Sequence, residues 1–452
     1  MHVILDVSRL LLSVRRATPS GIDRVEMAYA RRWLGRPAGA CTPVAQCPWG
    51  SFAALPRDRV AALLDALEMA WEGDGARPGA LALARHLALR LHAGLALGAG
   101  RAALREVLAE RRRPVFLLVS HRALDQRRHV AALRRAGAAF VPFVHDLIPL
   151  THPEYAKPAQ VGRHARRVAT VAAEADGVIV NSAATADALL PHLARQGAAP
   201  PIAVAPLGVE PGWRPTTPAP ATDEPYFVCL GTIEPRKNHL LLLHLWRDFA
   251  ERLGAAAAPR LLLLGRRGWE NENILDMLDR CASLRSLVRE CGTPGDRDVA
   301  ALLAGARALL FPSFAEGYGL PLAEALALGV PALCSDLPAL REVGGAVPDF
   351  LDPLDGAAWR RAILDYADPT SPARAAQLAR MADWQPPGWE AHFDAVDALL
   401  EGVVAAAPAL RPRSAAAALP EEQPAFVAPT AAAALAPETP LAPVAALDGS
   451  AA

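Results

Sequence analysis

The chain has 452 residues, 52% of them apolar and 21% charged, which is ample for a large core and excludes a wholly disordered protein. Lys and Arg number 47, as do Asp and Glu, so the net charge is zero and argues against binding nucleic acid through overall charge. The balance is uneven: residues 1–210 carry 27 cationic against 17 anionic side chains, and residues 211–452 carry 20 against 30, so +10 faces −10 and predicts two domains with different partners.

The N-terminal MHVILDVSRLLLSV lacks the basic start and long apolar run of a secretory signal. Continuous apolar runs at 3–7, 115–119, 139–144, 177–180 and 202–205 predict strands of a parallel sheet buried on both faces. Residues 51–113 are longer than a simple crossover and read as a helical insertion rich in Ala, Leu and Arg. Within it, Arg85, His86, Arg90 and His92 interrupt the apolar stretch 79–99 and argue against a membrane span.

Residues 208–225, rich in Pro, Thr and Gly, predict a linker between a first domain, 1–207, and a second, 226–404. The second half repeats the pattern, with strands expected at 226–230, 260–264, 286–290, 308–311 and 331–334. Helices are expected at about 238–252, 270–281, 297–305 and 321–328. This alternation predicts an α/β protein of two Rossmann-like, doubly wound domains facing each other across a cleft. From 405 to 452 the chain holds 20 Ala and eight Pro, a composition that predicts a disordered tail. The six cysteines show neither C-x-x-C nor zinc spacing and read as reduced core thiols of a cytoplasmic protein; no metal is expected.

Two segments carry chemistry. In Phe311-Pro-Ser-Phe-Ala-Glu-Gly-Tyr-Gly-Leu-Pro-Leu-Ala-Glu324, a strand ends, Gly317 and Gly319 free the loop, and a helix opens near Leu320 and Pro321. Helix N-termini at the carboxyl edge of such a sheet favour phosphate. Glu316 and Glu324, in that loop and in the first turn of its helix, read either as acceptors for sugar or ribose hydroxyls or as solvated carboxylates. Gly231-Thr-Ile-Glu-Pro-Arg-Lys-Asn238 follows another strand. Its adjacent Arg236 and Lys237 are placed either to clamp a diphosphate or to lie in solvent, with Asn238 as helix cap.

Together E-P-R-K-N (234–238), F-P-S (311–313) and E-G-Y-G-L-P-L-A-E-A (316–325), continued by Gly329-Val-Pro331 and Ser335, resemble the retaining nucleotide-sugar glycosyltransferases of family 4, which have the GT-B fold. The resemblance implies that Arg236 and Lys237 hold the donor diphosphate, Glu316 contacts the donor sugar and Glu324 the ribose. Backbone N–H groups near Gly319 and Leu320 would assist the phosphates. Val-His145-Asp146-Leu-Ile-Pro-Leu is similar to a segment of bacterial polysaccharide mannosyltransferases. It implies a His145 near the transferred sugar or acceptor hydroxyl, beside the alternative of a structural His at a strand end. Ser20-Gly21-Ile-Asp-Arg24 looks like the family's first loop, with Gly21 for close approach to the donor and Arg24 for an anion or a domain contact. Two adjacent glycines are common there, and a glycine-aromatic pair is common where Cys291-Gly-Thr293-Pro stands; the second departure leaves the base open.

The expected activity is retaining transfer of a hexose, with mannose as a guess, from a GDP- or UDP-linked sugar to a glycan or lipid-linked saccharide in bacterial surface polysaccharide synthesis. No cofactor or metal is expected. The alternatives are a nucleotide-sugar epimerase on the same fold and a non-catalytic assembly adaptor. The Arg residues of the insertion, among them Arg85, Arg90, Arg101 and Arg105, make an anionic membrane surface at the inner leaflet a further expected partner.

Overall fold

A computed structural model describes residues 1–72, 78–210, 213 and 224–406. The expected tail beyond 406 and most of the expected linker lie outside the described residues.

In the first half, β1 (Val3–Asp6), β2 (Cys41–Gln46), β3 (Phe52–Ala54), β4 (Val115–Leu118), β5 (Ala139–Val144), β6 (Val178–Val180) and β7 (Ile202–Val204) form a sheet ordered β3-β2-β1-β4-β5-β6-β7. All of its pairs are parallel except β2 with β3. In the second half, β8 (Tyr226–Leu230), β9 (Arg260–Leu264), β10 (Val288–Gly292), β11 (Leu309–Phe311), β12 (Ala332–Ser335) and β13 (Asp349–Leu351) run in the order β10-β9-β8-β11-β12-β13, parallel throughout. Both sheets reverse direction of travel beside their first strand, so each opens a crevice at its carboxyl edge. The central strands are apolar runs because helices cover both faces: β1, β4 and β5 are buried at every position.

The α/β, doubly wound expectation holds, with three corrections. The insertion is not wholly helical: β3 pairs antiparallel with β2, and the helices Arg57–Glu72, Pro78–Ala96 and Arg101–Glu110 follow. Strands β2 and β13 also escaped the reading, because β2 (CTPVAQ) mixes Thr, Pro and Gln into a strand paired on both sides and β13 (DFL) is only three residues long. The strand expected at 286–290 lies two residues later, at 288–292, with a register shift between Glu290 and Gly292.

The last helix, Trp389–Ala405, packs on β5 and β7 of the first sheet. Its buried His392 receives or donates a 2.8 Å hydrogen bond with the Tyr29 hydroxyl and contacts the carbonyls of Ala205 and Pro206 at 3.0 Å. Four of the six cysteines are buried, Cys281 and Cys291 are partly exposed, and all are free thiols.

Candidate active site

The carboxyl ends of β5 and β11 meet at a seam between the halves. The Ser182 and Thr185 hydroxyls donate to the Gly317 carbonyl at 2.7 and 3.1 Å. A Cβ on Gly317 would lie 2.5 Å from the His145 carbonyl oxygen and 2.8 Å from the Asp146 Cβ, so only glycine permits this approach. The rings of Tyr155 and Phe314 stack across the same seam, 5.4 Å between centroids. The Glu342 carboxylate accepts the backbone N–H groups of Ala183 and Ala184, both at 2.7 Å, which places a second-half anion on a first-half helix N-terminus.

On the second-half side, Pro235–Lys237 forms a 3-10 turn, and Asn238 (φ 55) redirects the chain into helix His239–Leu253. Asn238 holds the expected cap position, but its side chain donates to the Pro353 carbonyl instead of capping. The turn brings Lys237 Nζ to 2.6 Å and Arg236 Nη1 to 3.0 Å from the same Glu316 Oε1. Arg236 also donates to Glu234 Oε1 at 2.7 Å and to the Ala315 carbonyl at 2.6 Å. Burial alone would raise the Glu316 carboxyl, but Arg236 and Lys237 outweigh it and hold the group at about 2. Burial lowers the Lys237 ammonium, with Glu316 opposing. Two cations and two carboxylates, the shared Glu316 and the Glu234 that pairs with Arg236, thus form one buried cluster.

Gly319 (φ 107) starts helix Leu320–Ala327, with Pro321 at a position where no N–H is lost from the helix. Glu324 lies one turn further in than expected: it is not in the first turn, and it is buried. Burial pushes its carboxyl up to about 7, with Arg24 opposing and Asp296 and Glu210 adding to the rise. Arg24 forms a two-pronged ion pair with Asp296, its Nη2 lying 2.5 Å from Oδ1, so of the two roles open to Arg24 the structure shows the domain contact.

His145 ends β5, as expected. Its ring stacks on Phe143, Nε2 is 2.7 Å from the Val119 carbonyl, and burial pushes the group down to about 4, so the ring is neutral. Gly21 opens helix Gly21–Leu34, and a Cβ there would meet nothing within 4 Å, so the space beside it is open. The sequence reading also missed Ser182, Thr185 and Glu342, which close the seam; only the Ser cap before a helix was visible as a signal. Among the described residues, no group of three or more His, Cys, Asp or Glu side chains could hold a metal ion.

Comparison with known proteins points the same way. Residues 216–346 match the family described as glycosyl transferases group 1, a segment that contains Arg236, Lys237, Glu316, Gly319, Leu320 and Glu324. The chain is similar to the O-antigen chain mannosyltransferase B of Escherichia coli, 34% identical over 165 residues, which cover 36% of this chain and 42% of that protein. It is also similar to the serotype-specific mannosyltransferase WbdA of Escherichia coli, 28% identical over 235 residues, covering 47% of this chain and 28% of that one. The matches therefore span less than half the length of these relatives. Among solved structures, HepE of Anabaena in complex with UDP and glucose shares the fold, with a TM-score of 0.58 and 15% identity over 89% of this chain and 100% of HepE. Sucrose-phosphate synthase of Thermosynechococcus elongatus follows at a TM-score of 0.51 and 20% identity, covering 68% of this chain and 77% of that one.

Proposed function

We propose that the chain is a retaining glycosyltransferase that moves a hexose, mannose in the first instance, from a nucleotide-diphosphate sugar to a glycan or lipid-linked saccharide during bacterial surface polysaccharide assembly. The observation that carries this reading is the convergence of Lys237 and Arg236 on Glu316 at the mouth of helix Leu320–Ala327. The similarity to O-antigen mannosyltransferases supports both the activity and the choice of mannose.

As the glycosidic bond breaks, negative charge collects on the leaving diphosphate. Arg236 and Lys237 are buried cations already in place, so they can stabilise it without reorganising. The free N–H groups at Gly319 and Leu320 add a helix dipole of the right sign. Glu316, kept ionised by the two cations, can accept hydroxyls of the donor sugar beside them. Glu324 can accept ribose hydroxyls once its proton is lost. His145, neutral and bonded to the Val119 carbonyl beside the seam, is read as standing near the acceptor hydroxyl. Closure of the two halves over a bound donor keeps water out, which suppresses hydrolysis of the donor. An adaptor has no need of buried cations kept charged against burial by a shared carboxylate.

The same reading puts the protein at an anionic membrane. Leu89 and Leu97 are 68% and 88% exposed on the insertion, with Arg90, Arg101 and Arg105 exposed around them. Among the described residues no single helix is long and apolar enough to cross a membrane. Lipid headgroups attract such a face by about 1 kcal/mol per Arg near the surface.

The test is a panel of GDP- and UDP-linked hexoses, each with and without a mannose disaccharide acceptor. Release of nucleoside diphosphate that requires acceptor, with an α-linked product from an α-linked donor, supports the reading. Release independent of acceptor, or conversion of the donor sugar alone, defeats it.

A further inference from the structure

The first half contains a charge that the proposed reaction does not use. On helix Pro158–Glu174, His164 and Arg167 stand three residues apart and so share a face. His164 is buried and its Nε2 has no hydrogen-bond partner. Arg167 Nε is also buried and unpartnered, the one guanidinium nitrogen in that state among the described residues. The neighbouring charges are engaged elsewhere. Arg9 pairs with Asp23 at 2.7 Å, Arg163 with Asp125 at 3.7 Å, and the Asp146 Oδ1 accepts the Ile148 N–H at 3.1 Å. Asp146 also lies under the influence of Arg236 across the seam.

The location is the acceptor side of the seam. The His164 ring lies 5.3 Å from the His121 ring, which lies 5.2 Å from His145. Burial lowers the Arg167 guanidinium; Asp125 and Asp146 oppose this only in part, and Arg163 and Arg9 add to it. A half-buried guanidinium without a carboxylate keeps a desolvation cost that the folded chain does not recover by itself. Its planar fork matches the oxygens of a phosphate or carboxylate.

We propose that Arg167, with His164 beside it, is an anion subsite for the acceptor, so that the acceptor saccharide carries a phosphate or carboxylate close to the hydroxyl that receives the sugar. This rests on the reading of the first half as the acceptor side. Arg167, whose side chain is partly exposed, fixes the anion, and the enclosed His164 ring packs beside it on the same helix face. Neutral saccharides of the same sequence then bind without that anchor.

Calorimetry of the full chain, saturated with nucleoside diphosphate, tests this with three mannose disaccharides: one linked to a short-chain polyprenyl diphosphate, one carrying a glucuronate, and the neutral methyl glycoside. One of the anionic ligands is expected to bind at least tenfold tighter than the neutral one; which of them does so tells phosphate from carboxylate. Arg167→Gln is expected to abolish the difference and Arg167→Lys to keep part of it, both without change in nucleoside diphosphate affinity. The Tm of the empty Arg167→Gln protein is expected to equal or exceed that of the parent, because no partner is lost. Equal binding of all three ligands, or a difference that survives in Arg167→Gln, overturns the proposal. So does a Tm several degrees lower in Arg167→Gln, which would make Arg167 a structural residue. Because binding is read directly, absence of hexose transfer from every donor would defeat the proposed function and leave this result standing.

Discussion

Arg24 and Asp296 join the first half to the second through a fork of two hydrogen bonds across 272 residues of sequence, and the same guanidinium lies within electrostatic reach of the buried Glu324 and of Glu210. Arg24 is thus the common cation of three carboxylates, one of which is the group proposed to hold the donor ribose. Closure of the seam and the charge of Glu324 are therefore linked through one side chain.

Breaking the pair at Asp296 is informative for that reason. Asp296→Asn removes a like charge from Glu324 and frees Arg24 to serve it, so the Glu324 carboxyl is expected to fall from about 7 toward its ordinary value. The loss of a partly exposed ion pair costs stability by about 1 kcal/mol or less. Titration of Glu324 by carbonyl NMR, with a thermal melt alongside, checks both. A Glu324 that does not move in Asp296→Asn breaks the link.

Glu324 also sets a pH dependence, with opposite signs for stability and for ligand. Its folded carboxyl titrates near 7 and its unfolded one near 4.5, so the folded state holds the proton longer. That contribution to stability is present below the unfolded value and is lost as pH rises from about 4.5 to 7, a change of order 3 kcal/mol. Nucleoside diphosphate affinity runs the other way, because the ribose needs the carboxylate: it is expected to rise with pH through 7. Glu324→Gln should flatten this rise relative to the parent, beyond the ligand's own titration. Identical pH profiles for the two proteins would return Glu324 to a structural role.

Lys237→Ala should lower kcat at least tenfold, since one preorganised charge contact at a developing anion is worth about 3 kcal/mol. The variant also leaves Glu316 with Arg236 alone, so its carboxyl should rise from about 2. Unaltered turnover in the purified variant would remove Lys237 from the diphosphate site.

These groups differ in how visible they were in the sequence. Arg236 and Lys237 sit next to each other after an apolar strand, and Glu316 and Glu324 flank a glycine loop, so local order alone placed them at the carboxyl edge of one sheet. Which atoms meet was not legible. That Lys237 and Arg236 share one oxygen of Glu316 depends on the 3-10 turn and the left-handed Asn238, which no spacing rule predicts. The seam was hidden for a different reason: Gly317 against His145, and Glu342 against the helix of Ala183, join segments more than 150 residues apart. The fold was read from uninterrupted apolar runs. It was misread where β2 carries Thr, Pro and Gln inside the sheet, because backbone pairing on both sides outweighed weak strand propensity.

Gly317→Ala tests the seam itself. The added methyl must displace the His145 carbonyl or the Asp146 side chain, since both lie under 3 Å from its position. Overpacking of this kind costs about 1–3 kcal/mol. Because it acts at the contact between the halves, kcat is expected to fall by more than the Tm loss implies. A variant with the parent's kcat and Tm would show that the halves part freely at this point.

Membrane docking is read with vesicles. The protein is expected to sediment with anionic vesicles at low salt, to be released at high salt, and to ignore neutral vesicles, with Leu89→Ser and Leu97→Ser weakening the attachment. Retention in the supernatant with anionic vesicles at low salt would mean that the acceptor is met in solution.

Helix Trp389–Ala405 imposes an order on synthesis. It is the last described element, yet it buries His392, Phe393, Val396, Leu400 and Val403 against the first sheet and bonds to Tyr29. A ribosome that has released residues 1–207 has therefore made a half whose outer face over β5 and β7 is still bare. That face stays open until nearly 200 further residues have emerged, a window in which a chaperone or a second nascent chain can compete for it.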